Sequence, residues 1–187
     1  MTEIRLEHVS YAYDNEKILE DINLQVTSGE VVSILGPSGV GKTTLFNLIA
    51  GILEVQSGRI ILDGEENPKG RVSYMLQKDL LLEHKTVLGN IILPLLVQKV
   101  DKAEAIAKAD EILATFQLTA VRDKYPHELS GGMRQRVALL RTYLFGHKLF
   151  LLDEIHKQLQ LTTLIITHSI EEALNLSDRI YILKNRP

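Results

Sequence analysis

Residues Gly36 to Thr43, Gly-Pro-Ser-Gly-Val-Gly-Lys-Thr, follow the spacing G-x-x-x-x-G-K-[ST]. Glycines at 36, 39 and 41 let backbone N–H groups converge on one point, and a helix opening directly afterwards adds its positive end. Such a loop cradles phosphate oxygens. Lys42 then reaches the β- and γ-phosphates of a nucleoside triphosphate, and Thr43 offers its hydroxyl to Mg²⁺. Pro37, Ser38, Val40 and Thr44 belong to the same candidate contact set. A second cluster, Leu149-Phe150-Leu151-Leu152-Asp153-Glu154, puts two carboxylates at the end of an apolar strand, where open α/β sheets bind their ligands. Asp153 suits the Mg²⁺ sphere, and Glu154 can accept a proton from an attacking water or orient it. A third, Leu129-Ser130-Gly131-Gly132-Met133-Arg134-Gln135-Arg136, is another glycine turn opening a helix, with Ser130 a natural N-cap. Alone it reads as a capped helix. On a chain that already carries a phosphate loop, Ser130, Gly131 and Gly132 form a second candidate anion site.

These groups need elements to hold them. Ile4, Leu6 and His8 alternate with Arg5 and Glu7, and Val9 to Tyr13 follow. Ile22, Leu24 and Val26 alternate with Asn23 and Gln25. Both stretches predict half-buried antiparallel strands. Residues 31–35 are mostly apolar, as in a strand covered on both faces, and lead into the phosphate loop; 45–50 reads as a helix stopped by Gly51. Short strands are expected over 58–64 and 72–77. From Thr86 to Phe116 the spacing is helical, and a further helix is expected over 130–144. Strands over 148–153, 163–168 and 179–183 follow, with a short helix at 170–176. Strand–helix alternation with a helical insertion at 78–135 predicts an α/β core, a small N-terminal antiparallel portion and a helical subdomain.

Composition narrows the class. The 187 residues fit one domain, and 45% hydrophobic with 24% charged residues is the ordinary globular mixture. A net charge of −3 argues against a nucleic-acid binder, and zero cysteines exclude disulfide scaffolds and thiolate chemistry. The first residues lack a signal peptide's apolar stretch. The run Ile91–Val97, interrupted by Pro94, is far short of the roughly 20 residues of a membrane helix. The expectation is a cytoplasmic protein with any membrane role exercised through a partner.

The order of motifs resembles the ATP-binding subunit of an ABC transporter: phosphate loop, strand ending in Gln77, helical insertion, LSGGMRQR, LFLLDE, then Ile165-Ile166-Thr167-His168. The resemblance spans essentially the whole chain, and LSGGMRQR at 129–136 is its most specific piece. It implies a P-loop NTPase (RecA-like) core over 1–77 and 136–187, an inserted α-helical subdomain over about 78–135, and ATP with Mg²⁺ as cofactors. By the same resemblance, Tyr13 stacks on adenine. Gln77 touches Mg²⁺ and the attacking water and senses the membrane partner, and His168 contacts the γ-phosphate. Glu154, His168, Gln77 and Lys42 would form the catalytic set, with Thr43, Gln77 and Asp153 around the metal. The signature loop would complete the ATP site of a second copy, so that two chains close head to tail over two nucleotides. Permease subunits are the implied partners, with a solute-binding protein acting indirectly, at the inner face of the cell membrane. Leu76–Leu82 and the LSGGMRQR spelling are similar to the nitrate/sulfonate/taurine-type importers.

One departure stands out. The family continues after the paired carboxylates with Pro and a loop ending in Leu-Asp, then a helix. Here Ile155-His156-Lys157-Gln158-Leu159-Gln160-Leu161 leads straight to the next strand. Spacing raises the same objection, because a parallel crossover takes a dozen residues or more and 155–161 supplies seven. We therefore expect a segment to be missing between Glu154 and Ile155, the sequence being closed up over it rather than naturally deleted. An intact mass of 21.1 kDa would contradict that. Lys184–Pro187 is open to having been cut short as well. Other readings remain: a non-transport ABC ATPase of DNA repair, chromosome organisation or translation, or a non-hydrolysing nucleotide-binding module if the 154–155 junction is genuine. A simple kinase or GTPase is disfavoured, because it leaves the signature loop unexplained and the chain has no Asn-Lys-x-Asp motif.

Overall fold

A computed structural model of the chain describes residues 3–14, 16–76, 78–153 and 162–184. Two compact units result, Met1–Tyr74 with His147–Pro187, and Met75–Gly146.

The first unit opens with β1 (Ile4–Tyr13) and β2 (Glu16–Val26), which pair antiparallel. Next come β3 (Val31–Leu35), α1 (Lys42–Ile49), β4 (Ser57–Leu62), β5 (Glu65–Glu66) and β6 (Val72–Met75). One sheet has the order β2-β1-β4-β5. Ile4, Leu6 and Val9 of β1 are buried against Leu24, Val26, Ile60 and Leu62. His8 departs from the expected alternation. It has φ 53 at a register shift between Leu6 and Val9, so its side chain faces solvent and Val9 takes the inward place. Gly58 of β4 runs close by, where a Cβ would come within 2.3 Å of the His8 carbonyl oxygen, so only glycine fits.

The second sheet takes β7 (Leu149–Asp153), β8 (Thr162–Thr167) and, after α6 (Ile170–Leu176), β9 (Arg179–Ile182). Its order is β6-β7-β8-β3-β9, with β7, β8, β3 and β9 parallel. Every residue of β8 is buried, as the near-continuous apolar runs require. Leu45, Phe46, Leu48 and Ile49 of α1 join the core with Ile34, Leu151 and Leu164. Each such side chain contributes about 1.5–3 kcal/mol by leaving water. Leu35 pairs with Thr167, and Asp153 with Ile166. The C-terminal ends of β3, β7 and β8 therefore lie along one edge of the sheet, with Asp153 two strands, roughly 10 Å, from Leu35. The direct parallel pairing of β7 with β8 keeps the crossover question open, since only the eight residues 154–161 join them.

The second unit is helical: α2 (Val87–Ile91), α3 (Leu93–Val97), α4 (Lys102–Thr115) and α5 (Gly131–Tyr143). The single stretch expected over 86–116 is three helices. Pro94 sits in the first turn of α3, Lys99 turns back with φ 62, and Asp101 caps α4 by accepting from the Ala103 and Glu104 N–H groups. α5 packs against α2. This compact unit runs to Gly146 and includes all of α5, where the sequence suggested a helical subdomain over about 78–135.

Candidate functional site

The phosphate loop connects β3 to α1. Val31–Leu35 is locked between β8 and β9, and Leu183 N–H donates to the Leu35 carbonyl at 2.8 Å. At Gly36 a Cβ would lie 2.6 Å from the Leu183 carbonyl oxygen, so the loop leaves the sheet through a gap sized for glycine. Gly41, with φ 101, is the N-cap of α1, and a Cβ there would meet Ile18 and Leu19 at 2.9 Å. Among the described residues no side chain caps α1, and no acidic residue occupies its first turn. The orphan N–H donors and the dipole at this helix start are thus left available to an anion. Lys42 bends back over the loop, its Nζ donating to the carbonyls of Gly36 at 2.6 Å and Pro37 at 2.8 Å. Pro37, Ser38 and Gly39 are exposed, Val40 and Thr44 are buried, and Thr43 presents its side chain outward. A hydroxyl beside an ammonium and free backbone donors fits a triphosphate, and an oxygen donor set fits hard Mg²⁺.

At the same sheet edge β7 ends on Asp153, whose side chain lies outside the described residues, as do Glu154 and Gln77. His168 follows β8, exposed, between the buried Thr167 and Ser169, the N-cap of α6. Tyr13 closes β1; its ring is 46% exposed and stands edge-on to Tyr11 at 5.0 Å. The sheet thus gathers the loop 36–43, Asp153 and His168 along one edge.

The other glycine turn belongs to the helical unit. Ser130 caps α5, its Oγ accepting the Met133 N–H at 3.3 Å. Gly131 and Gly132 are exposed, and a Cβ on either would meet nothing within 4 Å. α5, like α1, carries no acid in its first turn, whereas α4 has Glu104 there and α6 has Glu171 and Glu172. Beneath this end lies a network that motif reading missed. Arg134 forks onto Asp79 at 2.8 and 3.0 Å and reaches Glu83 at 2.7 Å. Arg141 donates to the carbonyls of Leu80 and Asp79 at 2.8 and 2.7 Å. The Arg134 guanidinium holds the Asp79 carboxyl below the usual carboxylate range, and Asp79 in turn raises Arg134; burial lowers Arg141. The spacing of charges between 79–83 and 134–141 is too long-range for a local sequence signal.

A parallel sheet with a glycine phosphate loop between an inner strand and the next helix defines a P-loop nucleotide-binding protein. The ABC transporter family profile matches residues 19–157. Over 204 positions the chain is 40% identical to the formylaminopyrimidine import ATP-binding protein ThiZ of Halalkalibacterium halodurans, covering 98% of this chain and 80% of that one. It is 37% identical to the spermidine/putrescine import ATP-binding protein PotA of Aggregatibacter actinomycetemcomitans, over 97% of this chain and 55% of PotA. The chain thus spans about half the length of some curated relatives. The uncharacterized ABC transporter ATP-binding protein YtlC of Bacillus subtilis is 37% identical over 212 positions that include 100% of this chain. With 187 residues here, about 25 of those 212 positions belong to the relative alone. A nucleotide-free ATP-binding cassette from an ABC transporter superposes with a TM-score of 0.85 at 24% identity, over 98% of this chain and 88% of that one. The chain belongs to the ABC transporter family as an ATP-binding cassette.

Proposed function

We propose that this chain is the ATP-hydrolysing subunit of a solute importer, working as a head-to-tail pair on the inner face of the cell membrane against permease subunits. No helix of the described residues is long and apolar enough to cross a membrane; in this reading the permease subunits form the channel. The relatives' names speak of import of polyamines and of a pyrimidine, which supports the importer reading without naming this chain's cargo.

The observation that carries the reading is that, among the described helices of eight residues or more, α1 and α5 start without an acid and with glycine at the head, in separate units. When bound, Mg²⁺-ATP supplies a labile terminal phosphoryl group. Lys42 leaves its carbonyl partners to donate to the phosphates, and the α1 donors and Thr43 hydroxyl orient them. Asp153 and Gln77 would hold Mg²⁺ together with Thr43, and His168 would hold the terminal phosphate. Glu154 takes the proton of the attacking water, and Tyr13 flanks the base. Ser130, Gly131 and Gly132 serve the nucleotide of the partner copy. The test is Glu154→Gln: ATP still binds and steady-state turnover falls about 10²-fold or more, the scale of a lost general base. Unchanged turnover would remove Glu154 from this role.

The segment after Glu154 belongs to the same reading. The parallel β7–β8 pair supports a natural crossover longer than eight residues. An intact mass above 21.1 kDa for the native protein is the expected result. A mass at that value, together with ATP binding and no turnover, would favour the non-hydrolysing module instead.

A further inference from the structure

Thr167, Ser169 and Glu172 close a ring of hydrogen bonds around His168. The Thr167 hydroxyl donates to the Glu172 carboxylate at 2.6 Å, and its oxygen accepts the Ser169 N–H at 3.0 Å. The Ser169 hydroxyl accepts the Glu172 N–H at 3.2 Å. An ordinary capping box needs two residues: the cap side chain accepts from the third helical N–H, and the third residue's carboxylate accepts the cap's own N–H. Here the second bond is relayed through a hydroxyl two residues upstream, buried at the end of β8. Helix capping accounts for Ser169 and Glu172 but does not require Thr167. The relay extends the cap backwards so that it spans His168 and anchors it to the sheet.

We propose that Glu172 is a positioning residue for His168. Through Thr167 and Ser169 it fixes the backbone on both sides of the histidine and so holds it at the terminal phosphate. The inference rests on the role given to His168 under the proposed function. Glu172 itself lies outside the phosphate's reach in this account; it supplies an acceptor, not a charge. Glutamine, whose carbonyl also accepts, should therefore replace it, and alanine should not. A misplacement of about 1 Å at a reacting centre can cost about 10²-fold in rate, which sets the scale of the effect.

The test compares the parent chain with E172A, E172Q and T167V, measuring kcat, KM for Mg²⁺-ATP and exchange of the Ser169 amide. E172A and T167V are expected to lose about tenfold or more in kcat with KM within about twofold, because nucleotide binding is left intact. The Ser169 amide should exchange faster in both, and E172Q should stay near the parent in every respect. Unchanged kcat in E172A and T167V overturns the inference, and so does a loss that glutamine does not rescue. If the parent itself shows no turnover, the proposed hydrolysis fails and the ring is judged by the His168 ring resonances with a non-hydrolysable ATP analogue. Resonances displaced in E172A and restored in E172Q support it, and identical spectra in all variants overturn it.

Discussion

The two glycine loops look alike as strings of residues and differ in what their glycines are for. In the phosphate loop the fold itself demands them. Gly36 faces the Leu183 carbonyl with no room for a methyl group, and Gly41 combines φ 101 with Ile18 and Leu19 pressed against it. At the head of α5 nothing among the described residues demands them. Gly131 and Gly132 lie in a helical turn with open space where a Cβ would go, and Ser130 already caps the helix. Glycine in a helix is about 1 kcal/mol worse than alanine, so this helix start is less stable than it could be without any return inside the protomer. The first loop's glycines answer to its own fold. Those at the head of α5 do not, and in the proposed function they serve the nucleotide of a second copy.

The largest expected effect separates ligand chemistry from fold. Lys42→Ala should cut ATP turnover about 10²–10³-fold, the scale of one lost preorganised donor. It should leave the melting temperature nearly unchanged, because the lysine's bonds are to two loop carbonyls, one part-buried and one exposed. A large loss of stability would mean that Lys42 belongs to the scaffold. Next in size, Gly36→Ala should destabilise the first unit by about 2–3 kcal/mol in denaturant unfolding, since backbone must shift to admit the methyl. Retention of full stability would erase the contrast drawn between the two loops.

Asp79→Asn tests the support under the second loop. It should cost about 1–2 kcal/mol at neutral pH, from a charge-assisted fork less than a quarter exposed. The sign follows from the direction of the shift. The Asp79 carboxyl is lowered by Arg134, so its stabilisation is complete above the ordinary aspartate range, about 3.9, and fades as pH falls through the lower folded value. Acid unfolding of D79N should lack that component. Smallest in stability is Gly132→Ala, which should leave the protein unchanged or raise its stability by up to about 1 kcal/mol. A measurable destabilisation would show that the glycine serves its own fold after all.

Much of this was legible from residue patterns because the relevant signals are local. The strand ahead of Gly36, the apolar run ending at Asp153 and the Ser130 cap announce themselves within ten residues. His8 was misplaced because period-two alternation cannot register a bulge whose cause, Gly58, lies on another strand. The helical stretch after Thr86 was read as one element although Pro94 and Asp101 each carried a warning. The Asp79–Arg134–Arg141 network and the relay through Thr167 were invisible for a different reason. They join side chains by tertiary geometry, and no spacing rule distinguishes them from other charged and hydroxyl residues.

The central claim is that the head of α5 acts on a second copy's nucleotide, and sedimentation of Glu154→Gln with and without Mg²⁺-ATP tests it most directly. The account predicts a species of twice the protomer mass only with ATP. Adding Gly132→Ala should abolish that species while ATP still binds. A protomer that stays single with ATP bound, or a doubling that Gly132→Ala leaves untouched, would contradict it.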